Sequence, residues 1–407
     1  MQKYDLLIIG AGSAGTAAAL HAKGKKIAIA EKSLIGGTCV NDGCIPFKSF
    51  LNIAEKIAEN RNGLIGLTSG CVNNNIIDYT AITDEVRCRT ESVRKSLEFS
   101  LRDIPILQGE VTLIDSNHAI INNEKIEFDY LLIATGSRSV AKISPTRQLL
   151  DFNELPKEIT VIGSGTTGIE AATILAKLGT KVTLQEKQSI IAPGIPEILR
   201  KELQIILRRS GIITKTNCDD LPENALLCNG RIPVLPTFSD GSPVPATDKF
   251  GCLITNENQQ TSIQNWFAAG DVCSGTPKLA YIAARQAQQA ISVMFNFSKI
   301  PEITPQFIPH CIFASSPLAW FGDLENPDYS IEKKSYKAIP AAVAYNDVRG
   351  FIITATDKKG QLCGAAICGT AAHEMIHQLL ICAKYKITLE ELHRNVLTLH
   401  PVLSEIL

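Results

Sequence analysis

The chain has 407 residues, with 40 basic and 41 acidic side chains and a formal net charge of −1. This length indicates about three domains at roughly 150 residues each. The balanced charge and the lack of a polybasic stretch exclude a nucleic acid or an anionic membrane surface as the expected partner. No apolar stretch is long enough to cross a bilayer. The twelve cysteines follow no repeated framework, which favours the reducing cytoplasm over a secreted scaffold.

A dinucleotide-binding pattern opens the chain. The apolar run 4–9 ends in Gly10-Ala-Gly12-Ser-Ala-Gly15, an alanine-rich helical segment follows, and 26–30 has the pattern of a second buried strand. Glycines there let the backbone approach a pyrophosphate at the positive end of the helix. Glu31 closes the second strand, where an acidic side chain accepts both hydroxyls of an adenosine ribose. We therefore predict a βαβ unit that binds a dinucleotide.

The segment 36–48, GGTCVNDGCIPFK, places Cys39 and Cys44 behind a pair of glycines. In one regular helix their Cα atoms would be at least about 7.5 Å apart, beyond the roughly 4.4 to 6.8 Å of a disulfide. A bond between them therefore needs a tight, irregular turn, which Gly36, Gly37 and Gly43 permit, while Pro46 suits the first position of a helix that starts after Cys44. Such a constrained disulfide is reducible and suited to turnover. The alternative is a pair of buried thiols that never bond.

The pattern in the middle of the chain indicates helices and strands with a structural role, followed by a second dinucleotide-binding pattern. We predict a helix over 80–101, short strands up to 128, a strand over 130–134 that stops at Thr135-Gly136, and a domain boundary near 148. A strand at 159–162, the turn Gly163-Ser-Gly165-Thr-Thr-Gly168, a helix to 178 and a strand at 181–184 then lead to Glu186. Two such units beside a redox disulfide indicate a flavin and a nicotinamide. The charge of Glu186 would repel a 2′-phosphate, which favours NAD over NADP.

The C-terminal part begins with a strand over 266–269 that ends at Gly270-Asp271, and a helix follows to about 296. From 308 we predict alternating strands and turns, then helices over 370–384 and 388–396. The chain closes with His400-Pro-Val-Leu-Ser-Glu405 and two further residues.

These motifs together resemble the class I pyridine nucleotide-disulfide oxidoreductases, and among them dihydrolipoamide dehydrogenase most of all. The resemblance covers nearly the whole chain and rests on GGTCVNDGCIPFK, ATG at 134–136, NGR at 229–231, AAGDV at 268–272 and the closing HPVLSE. It implies an α/β fold with two Rossmann-like dinucleotide-binding domains and an α+β C-terminal dimerisation domain. The implied domains are an FAD-binding and central domain (1–148 and 231–303), a shortened NAD(P)-binding domain (149–230) and an interface domain (304–407).

The resemblance also implies the cofactor sites, with no metal. The residues implied for FAD are Gly10, Gly12, Ser13, Ala14, Gly15, Glu31, Lys32, Gly37, Thr38, Cys39, Lys48, Glu110, Val111, Ala134, Thr135, Gly136, Asp271 and Ala280. Those implied for NAD are Gly163, Gly165, Thr167, Gly168, Glu186, Lys187 and Gly230.

The implied catalytic residues are Cys39, Cys44, His400, Glu405, Lys48 and Glu170. Electrons pass between NAD(H), FAD, a Cys39–Cys44 disulfide and a small disulfide or lipoyl-group substrate, as in cell redox homeostasis. Cys44 is the cysteine nearer the flavin and Cys39 is the exchange thiol, which needs a base. That base is His400, held in its tautomer by Glu405, and Glu170 pairs with Lys48. In the family this histidine comes from the other subunit, so a homodimer with a shared active site is implied.

Several positions depart from the family's usual pattern. Phe47 stands where a small polar residue is common, and Thr166 and Thr167 replace an aromatic-aliphatic pair. Between 211 and 223 the nicotinamide domain is several tens of residues shorter than usual, so we expect its antiparallel meander to be missing. Thr398 replaces the first histidine of the usual closing pair.

Other functions compete with this interpretation. One is a mercuric or glutathione reductase-like enzyme that uses NAD(P)H, and another is an FAD-binding scaffold without turnover. A third is a zinc metallopeptidase, because His373-Glu-Met-Ile-His377 fits the HExxH pattern on a predicted helix. That segment also resembles the family's interface helix, with Glu374 at its acidic position. Cys363 and Cys368 repeat the spacing of the redox pair, but they lie on a predicted strand, cannot bond to each other, and are expected to be core.

Overall fold

The computed structural model describes residues 2–61, 77–141 and 143–407. In chain order the strands are β1 (Gln2–Ile9), β2 (Ile27–Glu31), β3 (Ile106–Gln108), β4 (Val111–Leu113), β5 (His118–Ile121), β6 (Glu124–Ile133), β7 (Ser137–Ser139), β8 (Glu158–Ile162), β9 (Lys181–Gln185), β10 (Ile213–Lys215), β11 (Ala225–Leu227), β12 (Arg231–Pro233), β13 (Thr237–Phe238), β14 (Trp266–Ala268), β15 (His310–Ile312), β16 (Leu318–Gly322), β17 (Ser330–Ser335), β18 (Phe351–Thr356) and β19 (Leu362–Cys368).

The helices are α1 (Ser13–His21), α2 (Gly37–Asn41), α3 (Cys44–Arg61), α4 (Tyr79–Ser100), α5 (Pro145–Asp151), α6 (Thr166–Leu178), α7 (Glu197–Arg209), α8 (Ala280–Met294), α9 (Pro340–Ala344), α10 (Ala372–Tyr385) and α11 (Leu389–Asn395). The chain divides into two compact units. The first comprises Met1–Ile53, Ile76–Glu154 and Asn229–Ile303, and the second comprises Ala54–Asn75, Leu155–Cys228 and Thr304–Leu407. The three-domain boundaries inferred from the sequence stay a prediction.

The first unit is built on a sheet with the order β13-β4-β5-β6-β1-β2-β3, and β14 pairs with β6. Within it β2, β1, β6 and β14 run parallel. The apolar run of β1 is buried on both faces, with no exposed surface at Leu6, Leu7 or Ile8, as is usual for a parallel strand between two layers. The predicted βαβ unit is confirmed. Because parallel strands end at one edge, the motifs that follow β1, β2, β6 and β14 share that edge.

The segment with the two cysteines forms two helices rather than one. Gly36 and Gly37 take positive φ angles of 99° and 55°, α2 contains Cys39, and Cys44 is the first residue of α3. The prediction that a helix starts after Cys44, with Pro46 at its first position, is therefore wrong by two residues. The first four N–H groups of a helix have no partner within it, so proline is tolerated throughout the first turn and does not mark the start. The break at residues 42–43 is the predicted irregular turn.

In the second unit a parallel sheet has the order β10-β9-β8-β11. The strands β8 and β9 flank α6, as the second fingerprint predicts. Residues 216–224 connect β10 to β11, and β10 with β9, β9 with β8 and β8 with β11 all pair in parallel. Since the stretch 143–407 is described throughout, the predicted lack of an antiparallel meander is confirmed for this sheet.

The same unit holds an antiparallel sheet with the order β15-β16-β19-β18-β17. α10 packs on it, with Ile376 and Leu379 buried in their shared core. Cys363 and Cys368 both lie on β19, as predicted. Cys368 is buried but Cys363 is only half-buried, so the expectation of core positions holds for Cys368 alone. Over the described residues, no helix has the length and apolar character needed to span a membrane.

Candidate active site

The first fingerprint turn and the cysteine segment meet at backbone distance. Gly10 has a φ of 104°, and a Cβ on it would lie 2.5 Å from the carbonyl oxygen of Ala134. A Cβ on Gly37 would lie 2.8 Å from the Cα of Gly12, and the N–H of Gly36 donates to the carbonyl of Ala11 at 2.8 Å. Only glycine fits these contacts. They hold the N-terminal end of α1 beside the redox segment, where dinucleotide folds bind a pyrophosphate.

Glu31 lies at the end of β2 with acceptor capacity left for a ligand. Its Oε2 accepts from the N–H of Ala11 at 2.7 Å and its Oε1 accepts from the N–H of Ser33 at 2.7 Å. An ionised carboxylate has about four acceptor positions, so these two bonds orient the group without filling it. Next to it, Lys32 and Glu110 form a surface ion pair at 3.3 Å. The structure thus brings together Glu31, Lys32 and Glu110, three residues predicted for the FAD site.

Several of the remaining predicted FAD residues follow strands that end at the same edge of the sheet. Ala134, Thr135 and Gly136 follow β6, and Asp271 follows β14. A Cβ on Gly270 would lie 3.6 Å from the Cβ of Ala14, so the AAGDV motif packs on α1. Val111 begins β4 and Ala280 begins α8. Together with Glu31, this glycine-lined edge fits an elongated dinucleotide such as FAD.

Cys39 and Cys44 are both thiols in this structure. Their side chains are hydrogen-bonded to each other, which is the largest cause of a raised pKa of Cys39, and burial raises it further. The hydroxyl of Ser13 hydrogen-bonds Cys39 and acts in the opposite direction. Because a thiol with a raised pKa is a poor nucleophile at neutral pH, exchange at Cys39 needs a base. The geometry brings together the pair that the sequence singled out.

Sequence reasoning missed a role for Arg231 beyond the NGR motif. Its Nη2 donates to Thr38 Oγ1 at 3.0 Å, its Nε donates to Ser137 Oγ at 2.7 Å, and that hydroxyl donates to Asp271 Oδ2 at 2.5 Å. The guanidinium also attracts the charge of Cys44. One side chain from β12 thus connects the redox segment to the aspartate of the AAGDV motif. The sequence signal for this role was the positive charge of the arginine in the NGR motif. The hydrogen-bond partners of Arg231 come from distant segments and become visible only in the tertiary fold.

In the second fingerprint Glu186 is buried and accepts three hydrogen bonds. Its Oε2 accepts from both the N–H and the hydroxyl of Ser164, at 3.0 and 2.6 Å, and its Oε1 accepts from the N–H of Gln188 at 3.0 Å. Burial raises the pKa of Glu186, but these hydrogen bonds outweigh burial and leave it below the ordinary value. Ser164 was not among the predicted site residues.

The other predicted NAD residues are placed as follows. Gly163 has a φ of 101° and Gly165 precedes α6, which contains Thr167 and Gly168. Lys187 pairs with Asp219 on the surface at 3.3 Å. Gly230 has a φ of 92° and belongs to the first unit, whereas the fingerprint itself belongs to the second. Its assignment to the coenzyme site stays a prediction.

The closing motif holds a histidine-carboxylate pair. Nδ1 of His400 lies 2.6 Å from Oε1 of Glu405, and 68% of the His400 side chain is exposed. The hydrogen bond from His400 holds the pKa of Glu405 below its usual range, and Glu405 Oε2 accepts from the N–H of Val402 at 3.3 Å. The predicted contact between His400 and Glu405 is present, and the role of His400 as a base stays a prediction. A similar pair, His118 with Asp115 at 2.9 Å, was not predicted.

Lys48 and Glu170 belong to different units, and their predicted pairing stays a prediction. Glu170 is buried, with 6% of its surface exposed, and accepts from the N–H of Phe313 at 3.3 Å.

The HExxH segment shows no metal centre. The ring of His373 is tilted by 50° against the ring of Phe313, with 5.1 Å between their centroids, and Nδ1 of His377 faces the carbonyl of Glu374 at 3.3 Å. Among the described residues no group of three or more His, Cys, Asp or Glu side chains is arranged to hold a metal ion.

A glycine-lined dinucleotide cradle beside a thiol pair, a second dinucleotide fold and a C-terminal antiparallel sheet define a dithiol flavoprotein that uses a nicotinamide coenzyme. The chain belongs to the pyridine nucleotide-disulphide oxidoreductase family, whose sequence profile matches residues 4–219. The profile of the family's dimerisation domain matches residues 308–407.

Characterised relatives align over almost the whole chain. It is 27% identical to the dihydrolipoyl dehydrogenase of Haloferax volcanii, over 98% of this chain and 94% of the relative. It is 28% identical to the mercuric reductase of Staphylococcus aureus, over 96% of this chain and 78% of the relative. The enzyme is thus an FAD-dependent disulfide oxidoreductase that uses NAD(P), and the dimerisation domain supports a homodimer.

Solved structures share the fold. LpdA from Mycobacterium tuberculosis superposes with a TM-score of 0.87 at 21% identity, covering 100% of this chain and 98% of that one. The flavoprotein disulfide reductase RclA from Escherichia coli, as its Cu(II) complex, gives a TM-score of 0.86 at 23% identity, with the same coverage. The predicted α/β class with Rossmann-like domains and a C-terminal dimerisation domain is confirmed.

Proposed function

We propose that this enzyme passes electrons from NADH through FAD to a Cys39–Cys44 disulfide, and from the resulting thiols to a small disulfide or lipoyl-group substrate in the cytoplasm. The observation that carries the proposal is the hydrogen-bonded pair of thiols in the segment that touches the FAD cradle. When bound, FAD supplies two-electron transfer between the coenzyme and the thiol pair.

The thiol chemistry follows from the two cysteines. The Cys39 thiolate attacks one sulfur of the substrate disulfide, that S–S bond breaks, one thiolate leaves with a proton, and a mixed disulfide forms at Cys39. The Cys44 thiolate then attacks the Cys39 sulfur, the second substrate thiol leaves, and the Cys39–Cys44 disulfide forms. The dithiol is oxidised by two electrons and the substrate is reduced by two. In the opposite direction the same steps oxidise a dihydrolipoyl group.

A base for Cys39 completes the site. The raised pKa of Cys39 means that its proton must be removed for exchange, and His400 is a histidine already oriented by a carboxylate. We propose that His400 of one subunit serves Cys39 of the other, so that each active site of the homodimer needs both chains. Lys48 and Glu170 then form a pair that supports the flavin side.

Substrate choice separates the proposed function from its alternatives. Purified enzyme would be assayed with lipoamide, oxidised glutathione and mercuric ion, each with NADH and with NADPH. The proposal expects the highest kcat/KM with NADH and lipoamide. A higher kcat/KM with oxidised glutathione or mercuric ion would change the proposed substrate but leave the proposed role of Cys39 and Cys44 as it is. No turnover with any acceptor by FAD-loaded protein would favour a flavin-binding scaffold and contradict the proposal.

A further inference from the structure

The chain contains two glutamates at equivalent places, and they differ in what binds them. Glu31 ends the second strand of the first dinucleotide fold, and Glu186 follows the second strand of the other. The residue between the first two glycines is Ala11 in one fingerprint and Ser164 in the other. In both folds that residue donates its backbone N–H to the glutamate, at 2.7 Å from Ala11 and 3.0 Å from Ser164. The serine hydroxyl is the chemical difference.

The hydroxyl of Ser164 occupies an acceptor position of the Glu186 carboxylate. From the described residues Glu31 receives two backbone N–H groups, one on each oxygen. Glu186 receives the N–H and the hydroxyl of Ser164 on Oε2 and the N–H of Gln188 on Oε1. Because an ionised carboxylate has about four acceptor positions, two on each oxygen, Glu31 retains room for two ribose hydroxyls, whereas Oε2 of Glu186 is full and only one position on its Oε1 remains.

A second hydrogen bond, from the backbone of Ala192, fixes the orientation of the Ser164 hydroxyl. Its side chain is fully buried, and its Oγ accepts from the N–H of Ala192 at 2.8 Å while it donates to Glu186. Rotating the hydroxyl away would leave the buried N–H of Ala192 without its acceptor, which is unfavourable. Glu186 itself is only 9% exposed.

We infer that the hydroxyl of Ser164 takes the place of one hydroxyl of the coenzyme's adenosine ribose at Glu186, so that NAD(H) binds mainly through its pyrophosphate and nicotinamide ends, without the paired diol–carboxylate hydrogen bonds. Ser164 is therefore a residue that sets coenzyme affinity and weakens recognition of the adenosine 2′-hydroxyl. FAD keeps these bonds at Glu31, which suits a resident cofactor. The inference rests on the proposed use of NADH and adds how this chain binds that coenzyme.

The test compares NADH with its analogue that lacks the adenosine 2′-hydroxyl, by measuring the Kd of each for the FAD-loaded dimer. For the wild type we expect the two Kd values to agree within about twofold. In Ser164→Ala and Ser164→Gly the carboxylate is released, so NADH should bind about tenfold more tightly or better, and loss of the 2′-hydroxyl should then cost about tenfold, the effect of one hydrogen bond to a charged group.

The control is Thr173→Ala, which removes a buried hydroxyl from α6 that bonds the carbonyl of Ile169 and does not touch Glu186. It should leave both Kd values unchanged. A wild type that already loses tenfold without the 2′-hydroxyl, or Ser164 variants that bind NADH with an unchanged ratio, would overturn the inference. Failure of NADH to bind the wild type at all would instead overturn the proposed function. The ratio of the two Kd values distinguishes a change in recognition of the 2′-hydroxyl from a general change in folding.

Discussion

Nδ1 of His400 and Oε1 of Glu405 lie 2.6 Å apart, five positions from each other in the closing segment. The carboxylate accepts a hydrogen bond from the Nδ1–H group and leaves Nε2 to act on another group. Because the hydrogen bond keeps the pKa of Glu405 low, the carboxylate remains ionised around neutral pH. The second unit thus presents an oriented imidazole, while the exchange thiol lies in the first unit.

Replacing His400 by glutamine should slow thiol–disulfide exchange by a factor on the order of 10² to 10⁴, because a general base is lost. Reduction of the flavin by NADH should stay close to the wild-type rate, since that step does not use the base. Rapid-mixing measurements of the two half-reactions check this. His393→Gln, on the exposed face of α11, is the control and should change neither step. Equal slowing of both half-reactions would show that His400 acts on folding instead.

Mixing two inactive proteins tests whether the base comes from the other chain. In a mixed dimer of His400→Gln and Cys39→Ser protomers, one site carries both changes and the other carries neither. Activity should therefore return after subunits exchange. Demonstrated exchange without recovered activity would place His400 on its own subunit's thiol or outside the reaction.

Glu186 should set the coenzyme preference by its charge. Since its hydrogen bonds keep it ionised, a 2′-phosphate nearby would be repelled by about 1 to 4 kcal/mol, and NADH should be preferred over NADPH. Glu186→Arg should raise the ratio of kcat/KM for NADPH to that for NADH by at least about tenfold. Lys181→Met, an exposed lysine at the start of β9, is the matched surface change. A wild type that prefers NADPH would contradict the charge argument.

Glu186 should also make folding sensitive to acid. Its folded-state pKa lies below the usual 4.5, so its contribution to the free energy of unfolding is present above about pH 4.5 and is lost as the pH falls through the lower folded value. At pH 7, Glu186→Gln should reduce that free energy by about 1 to 3 kcal/mol, and the difference from wild type should shrink below pH 4.5. Urea unfolding at several pH values measures it. The exposed Glu158→Gln is the control, and a pH-independent difference would contradict the linkage.

Arg231 should favour the Cys44 thiolate through its positive charge. In Arg231→Met this attraction between the guanidinium and the charge of Cys44 is lost. The pH profile of Cys44 alkylation in the reduced protein should then move to higher pH by about one unit or more. Arg231→Lys, which keeps the charge, should move it less. Arg138→Met on the neighbouring strand β7 is exposed and should leave it unchanged. An unchanged pH profile of Cys44 alkylation in Arg231→Met would show that Arg231 stabilises the fold but does not favour the thiolate.

The sequence allowed the two dinucleotide folds and the thiol pair to be predicted because their signals are local. An apolar strand, a glycine turn and an acidic residue about twenty positions later follow one another along the chain, as at Gly10 and Glu31. The shortened second fold was likewise visible as missing length between β10 and β11. His400 and Glu405 are close in sequence, so their pairing could be expected.

What could not be predicted depends on contacts between distant segments. Arg231 reaches Thr38 and Asp271 only after β12 joins the first unit. The two hydrogen bonds on Oε2 of Glu186 require the hydroxyl of Ser164, twenty-two positions earlier, to turn towards it and be held by Ala192. The start of α3 was misplaced because proline fits several positions of a first helical turn.

Anaerobic reductive titration of the FAD-loaded dimer tests the central claim, that electrons are stored on Cys39 and Cys44. The flavin and a disulfide each take two electrons, so the wild type should take up about four electron equivalents per protomer. Cys39→Ser and Cys44→Ser should each take up about two, with the flavin still fully reducible. Uptake of only two equivalents by the wild type would show that the cysteine pair is not part of the electron path.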